Sequence, residues 1–181
     1  MPPHTVSAGL FMKTWTSDQI RAACDQVRVM PDLRPNQPRP GDTHCNSNAY
    51  RVATALGLDL FYDPKKKRIL LANEMFSYMA TPGCGFQSFT VTFDAEKKEV
   101  RTPITHREAW EAANAGRLVF AAQANASGHG HIAPVYPSRG MVLSGHWGVQ
   151  CPYVSNVGPT VGVMGANYAF RTPPTYFIYQ S

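Results

Sequence analysis

At 181 residues, with 44% hydrophobic and 16% charged side chains, the chain is long enough for one domain with its own core, and its composition excludes a disordered tail. Its 17 Lys and Arg against 12 Asp and Glu give a net charge of +5, which suits acidic polymers (nucleic acid, anionic lipid, anionic cell wall) without choosing among them. No run of about 18 apolar residues occurs, which excludes a membrane-spanning helix.

The segment 1–16 is mixed and is expected to be irregular. Ser17 reads as the N-cap of a helix through 29, with Ile20, Ala23, Cys24 and Val27 at the i, i+3, i+4, i+7 positions of one face. Residues 31–40 carry four prolines and are expected to be stiff and extended. They join an N-terminal part, 1–40, to a core over 41–181 within a single domain. After Gly41-Asp42-Thr43 a helix is expected over 45–56, stopped by Gly57. Its apolar face is Cys45, Ala49, Val52, Ala53 and Leu56, so the thiol sits in the first turn on the buried side.

An extended pair is expected over 59–73. Its turn, Lys65-Lys66-Lys67-Arg68, reads as a solvated hairpin tip. A short helix over 74–80, a strand over 86–93 and a hairpin through 94–98 follow. Thr105 and Glu108 form a capping box that opens a helix to 115, with Ala109, Ala112 and Ala113 inward and Gly116 at its end. Three strands, 118–122, 131–136 and 140–143, are expected to form an antiparallel meander. Pro134 inside the second suggests an edge strand or a bulge. Short strands over 144–165 and a last one over 175–179 complete an α+β pattern.

A cysteine at a helix N-terminus has its thiolate stabilised by the helix dipole and free N–H groups, and an imidazole nearby can take its proton. Cys45 is such a cysteine, and His131 opens a strand about 85 residues later. Backbone N–H groups at Cys45 and Asn46 could hold an oxyanion. Gly130, just before the histidine, permits a close approach by another backbone or a substrate. His129 reads as a loop residue on the rim of a cleft. The remaining cysteines, Cys24, Cys84 and Cys151, form no C-x-x-C pattern; Cys24 lies on an apolar helix face, and one disulfide among the three stays open.

Three segments together resemble the NlpC/P60 and CHAP-type cysteine peptidase superfamily. They are Cys45-Asn46-Ser47-Asn48-Ala49, Ala113-Asn114-Ala115-Gly116-Arg117-Leu118-Val119 and Gly130-His131-Ile132-Ala133-Pro134-Val135. Within the superfamily the chain is most similar to phage endolysin-like domains and type VI secretion amidase effectors. The resemblance covers residues 43–145 or so. It implies a papain-like α+β fold in which a helix-borne cysteine packs on an antiparallel sheet carrying the histidine. It further implies a thiol-dependent amidase or endopeptidase of peptidoglycan, with Cys45 as nucleophile and His131 as general base. The third position departs from the family pattern. Asn156 is favoured because an amide oxygen can accept from imidazole N–H, with His146 next and Ser144 nearby. No cofactor and no metal are implied. The implied partner is the peptidoglycan stem peptide, with an immunity or inhibitor protein as a further partner left open, and nucleic acid is not expected. Met1-Pro2-Pro3-His4 lacks a basic n-region. The expectation is synthesis in the cytoplasm and action on the periplasmic cell wall after phage lysis or dedicated secretion.

Two other readings stay open. His129, His131 and His146 could ligate zinc in a metallohydrolase, although no carboxylate is near them in sequence. A non-catalytic wall-binding, partner-binding or virion module on the same fold could use Trp147, Tyr153, Tyr168, Tyr176 and Tyr179 as a contact surface.

Overall fold

The computed structural model describes residues 14–33 and 44–180. The expected irregular start (1–13), most of the proline-rich connection (34–40) and Gly41-Asp42-Thr43 lie outside the described residues. Helix α1 (Ser17–Arg28) buries Ile20, Ala23, Cys24 and Val27, as its periodicity requires. Its N-cap is Thr16 rather than Ser17. Thr16 has Gln19 three residues on: Thr16 Oγ1 accepts the Gln19 N–H and Gln19 Oε1 accepts the Thr16 N–H, whereas Ser17 has only Ile20 at that spacing. Pro31–Leu33 forms one 3₁₀ turn where an extended segment was expected.

Helix α2 (His44–Ala55) buries Cys45, Ala49, Val52 and Ala53, and Gly57 beyond it takes φ +74°, the left-handed conformation that ends helices. Strands β1 (Tyr62–Asp63) and β2 (Arg68–Ile69) form a small ribbon ahead of α3 (Ala72–Ala80). The basic turn is not simply solvated. Glu74 on α3 accepts from both Arg68 guanidinium nitrogens at 2.7 Å and from Lys66 Nζ at 3.1 Å. Arg68 and the Leu71 N–H, in that order, hold its carboxyl down at about 2. The expected strand over 86–93 divides into β3 (Phe86–Gln87), which joins the main sheet, and β4 (Phe89–Phe93), which pairs only with β5 (Glu99–Pro103). Helix α4 (His106–Asn114) starts at the expected Thr105–Glu108 box.

Strands β6 (Val119–Gln123), β7 (His131–Tyr136), β8 (Val142–Ser144), β9 (Val149–Cys151), β10 (Tyr153–Asn156) and β11 (Gly162–Gly165) follow, then the one-turn α5 (Ala166–Ala169) and β12 (Thr175–Tyr179). The main sheet is antiparallel with strand order β11-β10-β7-β6-β12-β3. Alternation along the strands separates two apolar layers. One joins α1, α2 and α3 to Phe120, Ala122, Ile132 and Phe177. The other joins α4 and α5 to Val119, Ala121, Ala133, Val135 and Val154. The fold is thus mixed α+β, with helices on both faces of an antiparallel sheet.

Two details of the sheet differ from the sequence reading. The expected third strand of the meander leaves it: β8 pairs with β9 in a ribbon of its own, and β10 lies beside β7 instead. Leu143, in that ribbon, is 69% exposed. Strand β7 is interior rather than an edge, flanked by β6 and β10. Pro134 is tolerated there because the β7–β10 ladder ends at Val135↔Val154, one residue before it. Continuing that register puts Ser155 beside Pro134, which has no N–H to offer. The Ser155 carbonyl takes its donor from a helix instead, Asn48 Nδ2 at 2.9 Å.

Candidate active site

His131 is the first residue of β7 and pairs with Gln123, the last residue of β6, so its imidazole stands at the end of the sheet. Asn156 is the last residue of β10. Counted from Val154↔Val135, it falls diagonally across from His131 on the same face. The two side chains meet, with His131 Nε2 2.8 Å from Asn156 Oδ1. Asn156 Nδ2 donates to the Thr160 carbonyl at 2.5 Å, which turns the amide so that its oxygen faces the ring. That network assigns the proton to Nε2 and leaves the Nδ1 lone pair as the basic site. Phe170 packs against the ring with centroids 4.9 Å apart, and Gly158 lies alongside, where an added Cβ would stand 3.7 Å from Cε1. Burial pushes the imidazole pKa below its ordinary 6.5, and the Asn156 hydrogen bond partly offsets this. The downward shift favours the neutral ring that a general base requires.

Cys45 is the second residue of α2 and is buried. Small residues at 49 and 53 let α2 sit close to the sheet, and its first turn is fixed at both sides. Asn46 Nδ2 donates to the Leu70 carbonyl at 2.9 Å and Asn48 Nδ2 to the Ser155 carbonyl, next to Asn156. The turn bearing the thiol is thus tied to the residue adjoining the histidine's partner. The two halves approach from different sides, however. Cys45 shares its apolar layer with Ile132, whereas His131 points with Ala133 toward Phe170 in the other layer. For a thiol on α2 to reach Nδ1 it would have to pass the end of β7 rather than cross a face of the sheet.

Two clefts flank the imidazole. One, about 740 Å³, is bordered by His131, His146, Asn156, Thr160, Asn167 and Arg171. The other, about 600 Å³, includes Asn125, His129, His131, Arg171 and Thr172. Phe170 and Arg171 border both. The loop feeding β7 is held by Asn73 of α3. Its Nδ2 donates to the carbonyls of Asn125 at 2.9 Å and Gly128 at 3.0 Å, and its Oδ1 accepts the Asn125 N–H at 2.9 Å. At Gly130 a Cβ would lie 2.3 Å from Asn73 Oδ1 and 2.8 Å from the Gln123 carbonyl oxygen, so this glycine admits the close approach of another backbone, as expected, together with an asparagine side chain. Asn73→Ala is expected to cost about 1–3 kcal/mol. It should raise amide exchange over 124–130 while leaving α2 protected. Unchanged exchange in that loop would contradict the anchoring role.

Among the residues singled out from sequence, His131 and Asn156 are in direct contact. His129 is an exposed loop residue on the second cleft, as expected, and His146 is exposed on the first. Ser144 is buried, and its Oγ accepts the Trp147 N–H at 3.0 Å within the β8–β9 turn, so it serves the ribbon rather than the imidazole. The described residues include no group of three or more His, Cys, Asp and Glu able to hold a metal ion, so His129, His131 and His146 do not gather into the zinc site weighed above. Tyr176, counted as a surface aromatic, is instead 1% exposed in the core, with its hydroxyl 2.8 Å from His106 Nδ1. All four cysteines are free thiols. Burial pushes Cys24 up to about 12 and raises Cys151 as well, which disfavours both as nucleophiles. Sequence reasoning missed Asn48, Asn73, Phe170 and Arg171. The two asparagines act through backbone carbonyls far along the chain, and 170–171 follow a one-turn helix with no periodicity to announce it.

No protein-family model matches the chain, and no curated protein matches it.

Proposed function

We propose that the protein is a thiol-dependent amidase or endopeptidase that cleaves an amide bond in the stem peptide of bacterial peptidoglycan, on a papain-like NlpC/P60 architecture. The observation that carries this reading is the His131–Asn156 hydrogen bond at the sheet end to which the first turn of α2 is tied. It supplies an imidazole oriented through Nε2, with Nδ1 left for chemistry, at the sheet end to which the cysteine-bearing helix is tied through Asn48. In the proposed reaction Nδ1 takes the Cys45 proton and the thiolate sulfur attacks the amide carbonyl carbon. The C–N bond then breaks, the departing amine takes the proton from imidazolium, and a thioester remains on Cys45. Water, deprotonated by Nδ1, attacks the thioester to give a carboxylic acid, and the proton returns to the thiol. N–H groups of the α2 first turn are suited to hold the oxyanion in both halves. The Asn46 side chain is anchored through Nδ2 to the Leu70 carbonyl, and its backbone N–H is the group suited to the oxyanion.

The net positive charge suits an anionic wall polymer. The described residues include no helix long and apolar enough to cross a membrane. Reagent sensitivity tests the class of chemistry. Iodoacetamide is expected to abolish hydrolysis in step with mass addition on Cys45, and a chelator to have no effect. Inhibition by chelator with indifference to alkylation would instead require a metal enzyme.

A further inference from the structure

The two clefts beside His131 have a common wall and a common charge. Both are bordered by His131, Phe170 and Arg171, and neither has an aspartate or glutamate in its lining. Each adds a second histidine, His146 in one and His129 in the other. Arg171 is exposed, and its guanidinium makes no ion pair or hydrogen bond among the described residues. Its backbone is nonetheless held: its carbonyl accepts Trp147 Nε1–H at 3.3 Å, and the Trp147 ring stacks on His106 with centroids 5.5 Å apart. Gln123, paired with His131 in the sheet, bonds Thr172 on the following residue. The arginine therefore stands on a fixed stretch of chain, one residue from the ring that packs on the imidazole. Several other guanidinium groups of the described residues meet carboxylates, as in Arg51–Asp32 and Arg68–Glu74, and that of Arg117 donates to the Tyr179 carbonyl. Arg171 has a rigid fork of donors facing solvent-filled clefts with no protein anion to fill it.

Taking the site as the peptide-amide hydrolase proposed above, we infer that Arg171 determines specificity by binding a substrate carboxylate adjacent to the scissile amide. The substrate is then an anionic peptide lying across the His131 wall from one cleft to the other. A carboxylate on the acyl side and one on the amine side offer the same chemistry, and singly amidated peptides distinguish them.

The test is calorimetric binding to full-length Cys45→Ala, which leaves the peptide intact, at fixed moderate salt. The probes are a synthetic stem tetrapeptide with free carboxylates, the fully amidated peptide, and two peptides amidated on one side of the bond. The acid peptide is expected to bind about 10- to 100-fold more tightly than the amidated one. One singly amidated peptide should account for most of that difference. Adding Arg171→Gln should remove the discrimination at unchanged Tm, and Arg171→Lys should keep part of it. Equal binding of acid and amide, discrimination unaffected by Arg171→Gln, or no binding of either would overturn the assignment. Turnover is scored separately on the wild-type chain. Arg171-dependent binding without turnover sinks the hydrolase and not the carboxylate site, whereas turnover indifferent to amidation and to Arg171 does the reverse.

Discussion

Replacing His131 by alanine is expected to lower kcat for stem-peptide hydrolysis by about 10²- to 10⁴-fold, the range that a positioned general base supplies. Replacing Asn156 by alanine should cost less, because the base survives and only its orientation and tautomer are freed. The pH profile separates these roles. Burial holds the His131 pKa below 6.5, so the acid limb of kcat/KM in the wild type should lie below that pH. The Asn156 hydrogen bond works in the opposite sense, favouring the imidazolium and raising the pKa. Its loss in Asn156→Ala should move the limb to still lower pH. A carboxylate in Asn156→Asp, favouring imidazolium more strongly, should move it up. An acid limb that stays put in both variants would remove His131 from the reaction. Because the folded pKa is depressed, stability is full above pH 6.5. It falls as the pH drops toward the folded value, where the unfolded chain takes up a proton that the folded chain resists.

Cys45→Ala is expected to remove turnover altogether, by about 10⁴-fold or more. The fold should survive, since the change deletes one sulfur atom from a helix that keeps Ala49, Val52 and Ala53 in the core, a loss of about 1–2 kcal/mol. Cys24 and Cys151 provide the contrast. They are as buried as Cys45, and their thiols are shifted away from reactivity. Cys24→Ala and Cys151→Ala should therefore lower Tm and leave kcat within a few-fold of wild type. If all three variants retained turnover, no thiol chemistry would remain to defend.

The parts legible in the sequence were those written in local periodicity and capping. The apolar stripe of α1, the first-turn position of Cys45, the Thr105–Glu108 box and the buried apolar runs of β6 and β7 each need only a few neighbouring residues, and each appears in the structure. What was not legible depends on partners distant in sequence. Residues 140–143 carry the signs of a strand, but only the assembled sheet decides that β10, not β8, lies next to β7. Pro134 pointed to an edge because a missing N–H usually means an unpaired side. Here Asn48, 107 positions from Ser155, supplies the donor and keeps the strand inside. Asn156 was favoured over His146 and Ser144 for the third position that the resemblance implies, because an amide oxygen can accept from imidazole N–H, and the structure brings it to His131. Which side of the sheet the imidazole would face did not follow, because it depends on how α2 and α5 divide the two layers.

The most direct measurement of the central proposal is digestion of purified peptidoglycan sacculi by the wild-type chain, beside Cys45→Ala, with mass spectrometry of the soluble fragments. Stem-peptide fragments with one new amine and one new carboxyl end are expected from the wild type only, which also names the bond. Intact sacculi with both proteins bound to them, or equal release by both, would contradict the proposal.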